Sequence, residues 1–338
     1  LMVMPVEIAE DELVVGKVAM GSTGLGHTFP DYATEEERAR AAAAGWSPAS
    51  VWGHYVPDHP KLLKLGLRGL RQEVRERLAC LRPDDPEREE KEHFYRAVLI
   101  CLDAVRAFAN RYAALAEEMA RRETRSSRRS ELEGIARICR KVPEWPAESF
   151  HEALQSFWFL HASFHSTLDL VPVGRFDQFM YPFLEKDLTA GALSQAQAQE
   201  ILECLWIKFN ERSQVGLDDI EIRRDPMRLR GSREEDLVYS RVNVNNWLQN
   251  IMLGGRTSRG DDASNLLTSM CMEATHRLEL TNPVISLRVW EGTPEIVLRQ
   301  ACALMQGGGG MPAIFNDSIF IPALVDAGVP LDDARDYS

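Results

Sequence analysis

The chain has 338 residues, 45% of them apolar, and a formal charge of -12 from 51 acidic and 39 basic side chains. That length buries a large core and accommodates one big domain or two. The acidic balance argues against nucleic acid and anionic membrane as partners, since both would repel it. No apolar run approaches the ~18–20 residues that a bilayer crossing needs, and Leu1 to Pro5 is too short, and lacks the charged start, for a secretory signal. The first residue is not Met, so the start of the protein is expected to be missing.

In chain order, residues 1–20 read as extended, with Glu12-Leu-Val-Val-Gly16 a short apolar run closed by glycine. A loop-rich stretch follows. It holds the related phrases Gly26-His-Thr-Phe-Pro-Asp31 and Gly53-His-Tyr-Val-Pro-Asp58, a near-repeat too short to be a repeat architecture. Leu63, Leu67, Leu70, Val74, Leu78 and Leu81 share one face of a helix, which Pro83-Asp-Asp-Pro86 closes. A long amphipathic helix runs from Phe94 to Met119, and the basic cluster Arg121 to Arg129 reads as a solvated helix end or connector. Pro146 and Ser149 open an aromatic-rich helix; Ile201 to Phe209 and Leu266 to Leu278 mark two more. Arg223 to Glu235 reads as an exposed, charged excursion. Thr293 is expected to cap a further helix with Pro294 at its first position. Val284 to Trp290 and Met311 to Phe315 read as buried strands, so the tail alternates helix and strand, an α/β arrangement. No linker divides the chain into independent domains.

Few residues carry chemistry on their own. The six cysteines are scattered, without a CxxC pair or zinc spacing, and read as buried free thiols of a reducing compartment. His161 and His165 are one helical turn apart but lack a third ligand in sequence, so packing and local hydrogen bonds are expected. Gly21 to Gly26 precedes His27-Thr-Phe-Pro30, which cannot open the helix a phosphate loop requires; a plain loop is expected. Gly307 to Gly310 follows a helix and precedes a strand, the wrong order for a phosphate cradle, and four glycines suggest a backbone pressed against a neighbour. Arg175 and Asp177 predict a local ion pair or ladder element. Asn316-Asp317 forms a polar strand end, which in α/β folds often faces a ligand.

Taken in order, several phrases are distinctive. Gly174-Arg-Phe-Asp-Gln-Phe-Met-Tyr-Pro-Phe183, Gly254-Gly-Arg-Thr257 with Asp262-Ala-Ser-Asn265, Asn282-Pro-Val-Ile-Ser-Leu-Arg288 and Gly308-Gly-Gly-Met-Pro-Ala-Ile-Phe-Asn-Asp317 resemble successive blocks of the glycyl radical enzymes of the pyruvate formate-lyase-like superfamily. Gly53-His54 through Asp58, running into Leu62 to Gly69, resembles an earlier block, and Ala334-Arg-Asp-Tyr-Ser338 is similar to the lead-in to the family's Gly-Cys-x-Glu loop.

The resemblance implies part, about half, of a ten-stranded α/β barrel inside a mainly helical shell. Residues 1–338 would be the N-terminal part of the catalytic domain, truncated at both ends. It implies a dehydratase or lyase that cleaves a C–X bond of a small polar metabolite through a thiyl radical. A glycyl radical would lie outside this chain, installed by an S-adenosylmethionine-dependent iron–sulfur activase. A cytoplasmic homodimer is implied for the full-length protein. Neither the cysteine loop nor the glycine loop is present, so the chain alone is expected to be inactive. The alternative is a non-catalytic subunit or degenerate fragment whose partner carries both loops. His54 matches the histidine that contacts substrate in several dehydratases. Asp169 and Leu170 fall where diol dehydratases have a His-Ser pair, a departure that argues against a simple diol dehydratase. His54, Asp169 and Arg288 are the expected substrate-pocket residues, with Asp169 either facing substrate or bracing Arg288.

Overall fold

The computed structural model describes residues 5–17, 34–44, 55–165, 171–211 and 249–338. Gly21 to Gly26, His27 and the Arg223 to Glu235 excursion lie outside the described residues, as do His54 and Asp169.

Seven helices precede the sheet among the described residues: α1 (Glu35–Ala43), α2 (His59–Ala79), α3 (Arg88–Arg122), α4 (Ser126–Lys141), α5 (Phe150–Phe164), α6 (Phe176–Thr189) and α7 (Gln195–Asn210). Then come β1 (Asn250–Gly254), α8 (Leu266–Leu278), β2 (Val284–Val289), α9 (Glu295–Gln306), β3 (Ala313–Asn316), α10 (Asp317–Asp326) and α11 (Leu331–Arg335). The three strands pair in parallel in the order β1-β2-β3, with a helix in each connection. This is the βαβ arrangement expected of part of an α/β barrel. Gly174 adds an isolated parallel bridge to Ile251, so the Gly174-Arg-Phe-Asp phrase is a ladder element for one residue and a helix thereafter.

Two apolar cores lie on either side of α5. The first joins the inner face of the sheet (Ile251, Leu253, Ile285, Leu287) to Phe157, Trp158, Phe176, Leu205 and Trp206. The second is built from α3, α4 and the start of α2, around Phe108, Tyr112, Ile135 and Leu67. Helix α5 is buried nearly all round, as a helix between two cores must be. It gives Phe157 and Trp158 to one core and Phe159 to the other.

The extended segment at residues 5–17 is strapped on by side chains. Gln155 accepts from the Val15 N–H at 2.8 Å and donates to its carbonyl at 2.6 Å, imitating a neighbouring strand. Trp158 donates to the Gly16 carbonyl at 2.7 Å, and the Lys17 N–H donates to the Tyr112 hydroxyl at 2.7 Å.

Several expectations need correction. Helix α2 is not continuous: Gly66 breaks it at φ 61°, ψ 173°, and the freed Leu67 and Arg68 amides donate to the carbonyls of Pro143 and Glu144 at 2.8 and 3.0 Å. The basic cluster is mostly helix. Only Glu123 to Arg125 connect α3 to α4, and Arg128 of α4 is buried, donating to the carbonyls of Ala9 and Glu12. Thr293 does not cap α9; its hydroxyl accepts from the Trp290 N–H at 2.9 Å, and Pro294 is the cap residue. All six cysteines are free, but only Cys139 and Cys271 are buried; Cys80, Cys101 and Cys302 are exposed. No described atom lies near the Cβ positions of Gly308, Gly309 and Gly310, whose φ values are 89°, 79° and 70°. The turn needs glycine for its left-handed backbone, not for close approach.

Candidate active site

The distinctive phrases converge at the C-terminal ends of the strands. Parallel register places Gly254, Arg288 and Phe315 in one row across β1, β2 and β3. Side chains alternate along β2: Ile285 and Leu287 enter the first core, while Ser286 and Arg288 occupy the opposite face.

Asp177, fully buried, organises the first part of the site. Its carboxylate accepts from the Gly254 N–H at 2.8 Å, the Thr268 hydroxyl at 2.5 Å and the Gln178 amide at 2.9 Å. Gln178 also donates to the Ala263 carbonyl at 2.8 Å, and Asn265 donates to the Asp177 carbonyl at 3.1 Å while capping α8. Burial pushes the Asp177 pKa up, and these donors partly offset that. The phrases around Asp177, Gly254 and Asn265 are thus one hydrogen-bonded unit. Val56 reaches it too: a Cβ on Gly174 would meet Val56 Cγ1 at 2.6 Å.

Arg175 and Asp177, expected to pair locally, turn to different partners. Arg175 donates to Asp336 at 2.8 Å and to the carbonyls of Gly254 and Arg256 at 3.0 and 3.1 Å.

Arg288 is fully buried and forms a bidentate pair with the equally buried Asp317, at 2.8 and 2.9 Å. It also donates to the carbonyls of Tyr337 at 2.9 Å and Arg335 at 2.7 Å. Its guanidinium lies 3.9 Å from the centre of the Tyr337 ring, and the Tyr337 hydroxyl donates to Asp317 at 2.8 Å. Burial, then the Asp317 carboxylate, pushes the Tyr337 pKa up. Gly255 makes room for this cluster: a Cβ there would meet Arg288 Nε at 2.6 Å and Asp317 Oδ2 at 2.9 Å. Asp317, expected to face a ligand from a polar strand end, is instead committed to Arg288 and Tyr337. Tyr337 and Asp336 were not singled out from sequence; only their place in the last motif pointed to them.

The remaining titratable groups stand apart. His59 is fully buried beside Phe157 and Phe179, at ring separations of 4.7 and 5.7 Å, with neither ring nitrogen hydrogen-bonded. Burial lowers its pKa to about 3. His161 contacts His165 at 3.0 Å, the local bond expected, and also Gln249 at 2.8 Å, which lies 88 positions along the chain. No metal-binding cluster occurs among the described residues. No helix among them is long and apolar enough to cross a membrane.

Residues 21–338 match the family described as Pyruvate formate lyase-like. Isethionate sulfite-lyase of Nitratidesulfovibrio vulgaris is 34% identical over 288 residues, covering 84% of this chain and 33% of that protein. A structure titled for 1,2-propanediol dehydration in Roseburia inulinivorans superposes with a TM-score of 0.82 at 32% identity, covering all of this chain and 47% of that one. A glycyl radical enzyme from Archaeoglobus fulgidus follows at a TM-score of 0.79 and 28% identity, with 48% of it covered. The chain therefore spans about a third of the length of that curated relative and about half of the solved structures. With its phrases gathered at one end of a parallel sheet and its sequence matched almost throughout, the chain belongs to the pyruvate formate lyase-like family.

Proposed function

We propose that the whole protein is a glycyl radical lyase or dehydratase that cleaves a C–X bond of a small polar metabolite. The observation that carries this reading is the convergence of Asp177, Gly254, Arg288 and Asp317 at the C-terminal strand ends, where open α/β sheets bind ligands. The protein-derived radical would supply hydrogen abstraction through a cysteine thiol. The thiols of this chain do not suit that task. All six lie on shell helices or, for Cys80, at a helix end, so none sits on a strand or in a strand-end loop where the site residues converge. The thiol and glycine loops are proposed to lie in the part of the relatives' length that this chain does not span, in the same polypeptide or in a partner chain.

His54 and Asp169 are proposed to contact substrate, with Asp169 favouring a cationic or hydrogen-bond-donating group. Arg288, fully buried on β2 and bonded to Asp317, is proposed to brace the pocket rather than to contact substrate. A radical-SAM activase, a homodimeric assembly and a cytoplasmic setting complete the reading. Anaerobic incubation of the whole protein with its activase and S-adenosylmethionine should yield a glycyl radical signal in electron paramagnetic resonance that oxygen destroys. Absence of that signal with a competent activase would sink the proposal; a signal carried by a separate co-purifying chain would favour the two-chain form.

A further inference from the structure

We infer that Arg175 and Arg288 are positioning residues that pin the backbone of Arg335–Tyr337 across the C-terminal ends of β1 and β2, so fixing one wall of the ligand site. The role in turnover rests on the reading above; the clamp itself does not.

Each of the three residues is held. Arg288 takes the carbonyls of Arg335 and Tyr337, Arg175 takes the side chain of Asp336, and the Arg335 side chain donates to the Ser258 carbonyl at 2.7 Å. The two arginines are themselves anchored from different elements. Arg288 is locked to Asp317, the first residue of α10 after β3, and Arg175 to the carbonyls of Gly254, the last residue of β1, and of Arg256 beyond it. Tyr337 closes the clamp by stacking on the Arg288 guanidinium and donating to Asp317.

Two considerations favour positioning over direct substrate binding or simple stability. A guanidinium has five N–H donors, and the four hydrogen bonds of Arg288 are all spent inside the cluster while Tyr337 covers one of its faces. Little of it is left for a ligand. A fully buried ion pair is also a poor device for stability alone, because desolvation offsets most of its attraction. What it does provide is direction: a planar fork fixes the lines along which its acceptors lie.

The test uses the whole protein with Arg288→Lys, Arg175→Lys and Tyr337→Phe. Hydrogen exchange over residues 331–338 is read first, because it needs no radical. Both lysine variants should speed exchange there by about tenfold or more while the α5 and β2 peptides stay protected, since lysine cannot reproduce the fork. Unchanged exchange over 331–338 would overturn the inference whether or not the protein forms a radical. So would equal loosening throughout the sheet, the mark of a merely structural pair. In activated protein, kcat per radical should fall on the order of a hundredfold for Arg288→Lys and less for Tyr337→Phe, with KM nearly constant. A rise in KM at constant kcat would instead make Arg288 a substrate ligand and overturn the positioning role. If the wild-type protein carries no radical, the functional proposal fails and the exchange result alone decides the clamp.

Discussion

His59 is the plainest case of a residue whose surroundings dictate its chemistry. It follows the Gly53 to Asp58 phrase, yet it sits between Phe157 and Phe179 with no hydrogen bond to either nitrogen. Burial holds its folded pKa near 3 against an ordinary 6.5, so the unfolded chain takes up a proton in that interval and the folded protein does not. Stability from this residue is therefore complete above the ordinary histidine pKa and is lost as pH falls toward 3. From pH 7 to pH 5 the loss is about 2 kcal/mol. Thermal unfolding of His59→Phe across that range should show a shallower pH dependence than the parent by that amount. An unchanged slope would mean that His59 is protonated when folded. Nothing in the sequence marked His59, because local spacing does not reveal which side chain the aromatic helix α5 will cover.

At the scale of elements, the helices were legible wherever apolar spacing and caps agreed. Ser149, Ser194 and Asn265 cap α5, α7 and α8 through their own side chains. Helix α4 was missed because its arginines masked a buried stripe of Leu132, Ile135, Ala136 and Cys139. Strand β1 was missed because its five residues are short and neither alternate nor form a long apolar run. The break in α2 was illegible for a different reason: its cause, the Pro143 to Ala147 segment, lies far along the chain. A Cβ at Gly66 would meet the Glu144 carbonyl at 2.5 Å and the Trp145 carbonyl carbon at 2.6 Å, both backbone atoms that cannot swing aside. Gly66→Ala should therefore cost roughly 3 kcal/mol, from backbone strain and steric conflict together. Gly309→Ala, with positive φ but open space, should cost only about 1 kcal/mol. Denaturant unfolding of the two variants side by side checks the ranking, and equal losses would refute the role given to the Gly66 contact.

At the scale of the molecule, the family phrases gave the α/β class and the order of the site's parts, while the pairing of those parts emerged only in three dimensions. Arg288 with Asp317 and Arg175 with Asp336 join residues 29 and 161 positions apart, beyond any local pattern. The sheet also ends on an unfinished side. Ile314 on β3 is 46% exposed and Ile319 on α10 is 65% exposed, an apolar strand edge and flank of the kind that invites other chains. Produced alone, residues 1–338 should self-associate, and Ile314→Lys with Ile319→Lys should raise the monomer fraction in size-exclusion chromatography with light scattering. A monodisperse monomer without those changes would show that this edge is harmless.

The division into two cores also bears on how the protein is made. Every residue of the core around Phe108 and Ile135 lies between Ile8 and Phe159, whereas the core beneath the sheet draws on residues from Val14 to Met311. A ribosome thus releases all the material for the first of these before it reaches the codons for any strand of the sheet. The α3–α4 unit can close around its own contacts while β1, β2 and β3 are still untranslated, consistent with N-terminal parts folding first during synthesis. Parallel strands, which need distant partners, then assemble on a helical surface already in place.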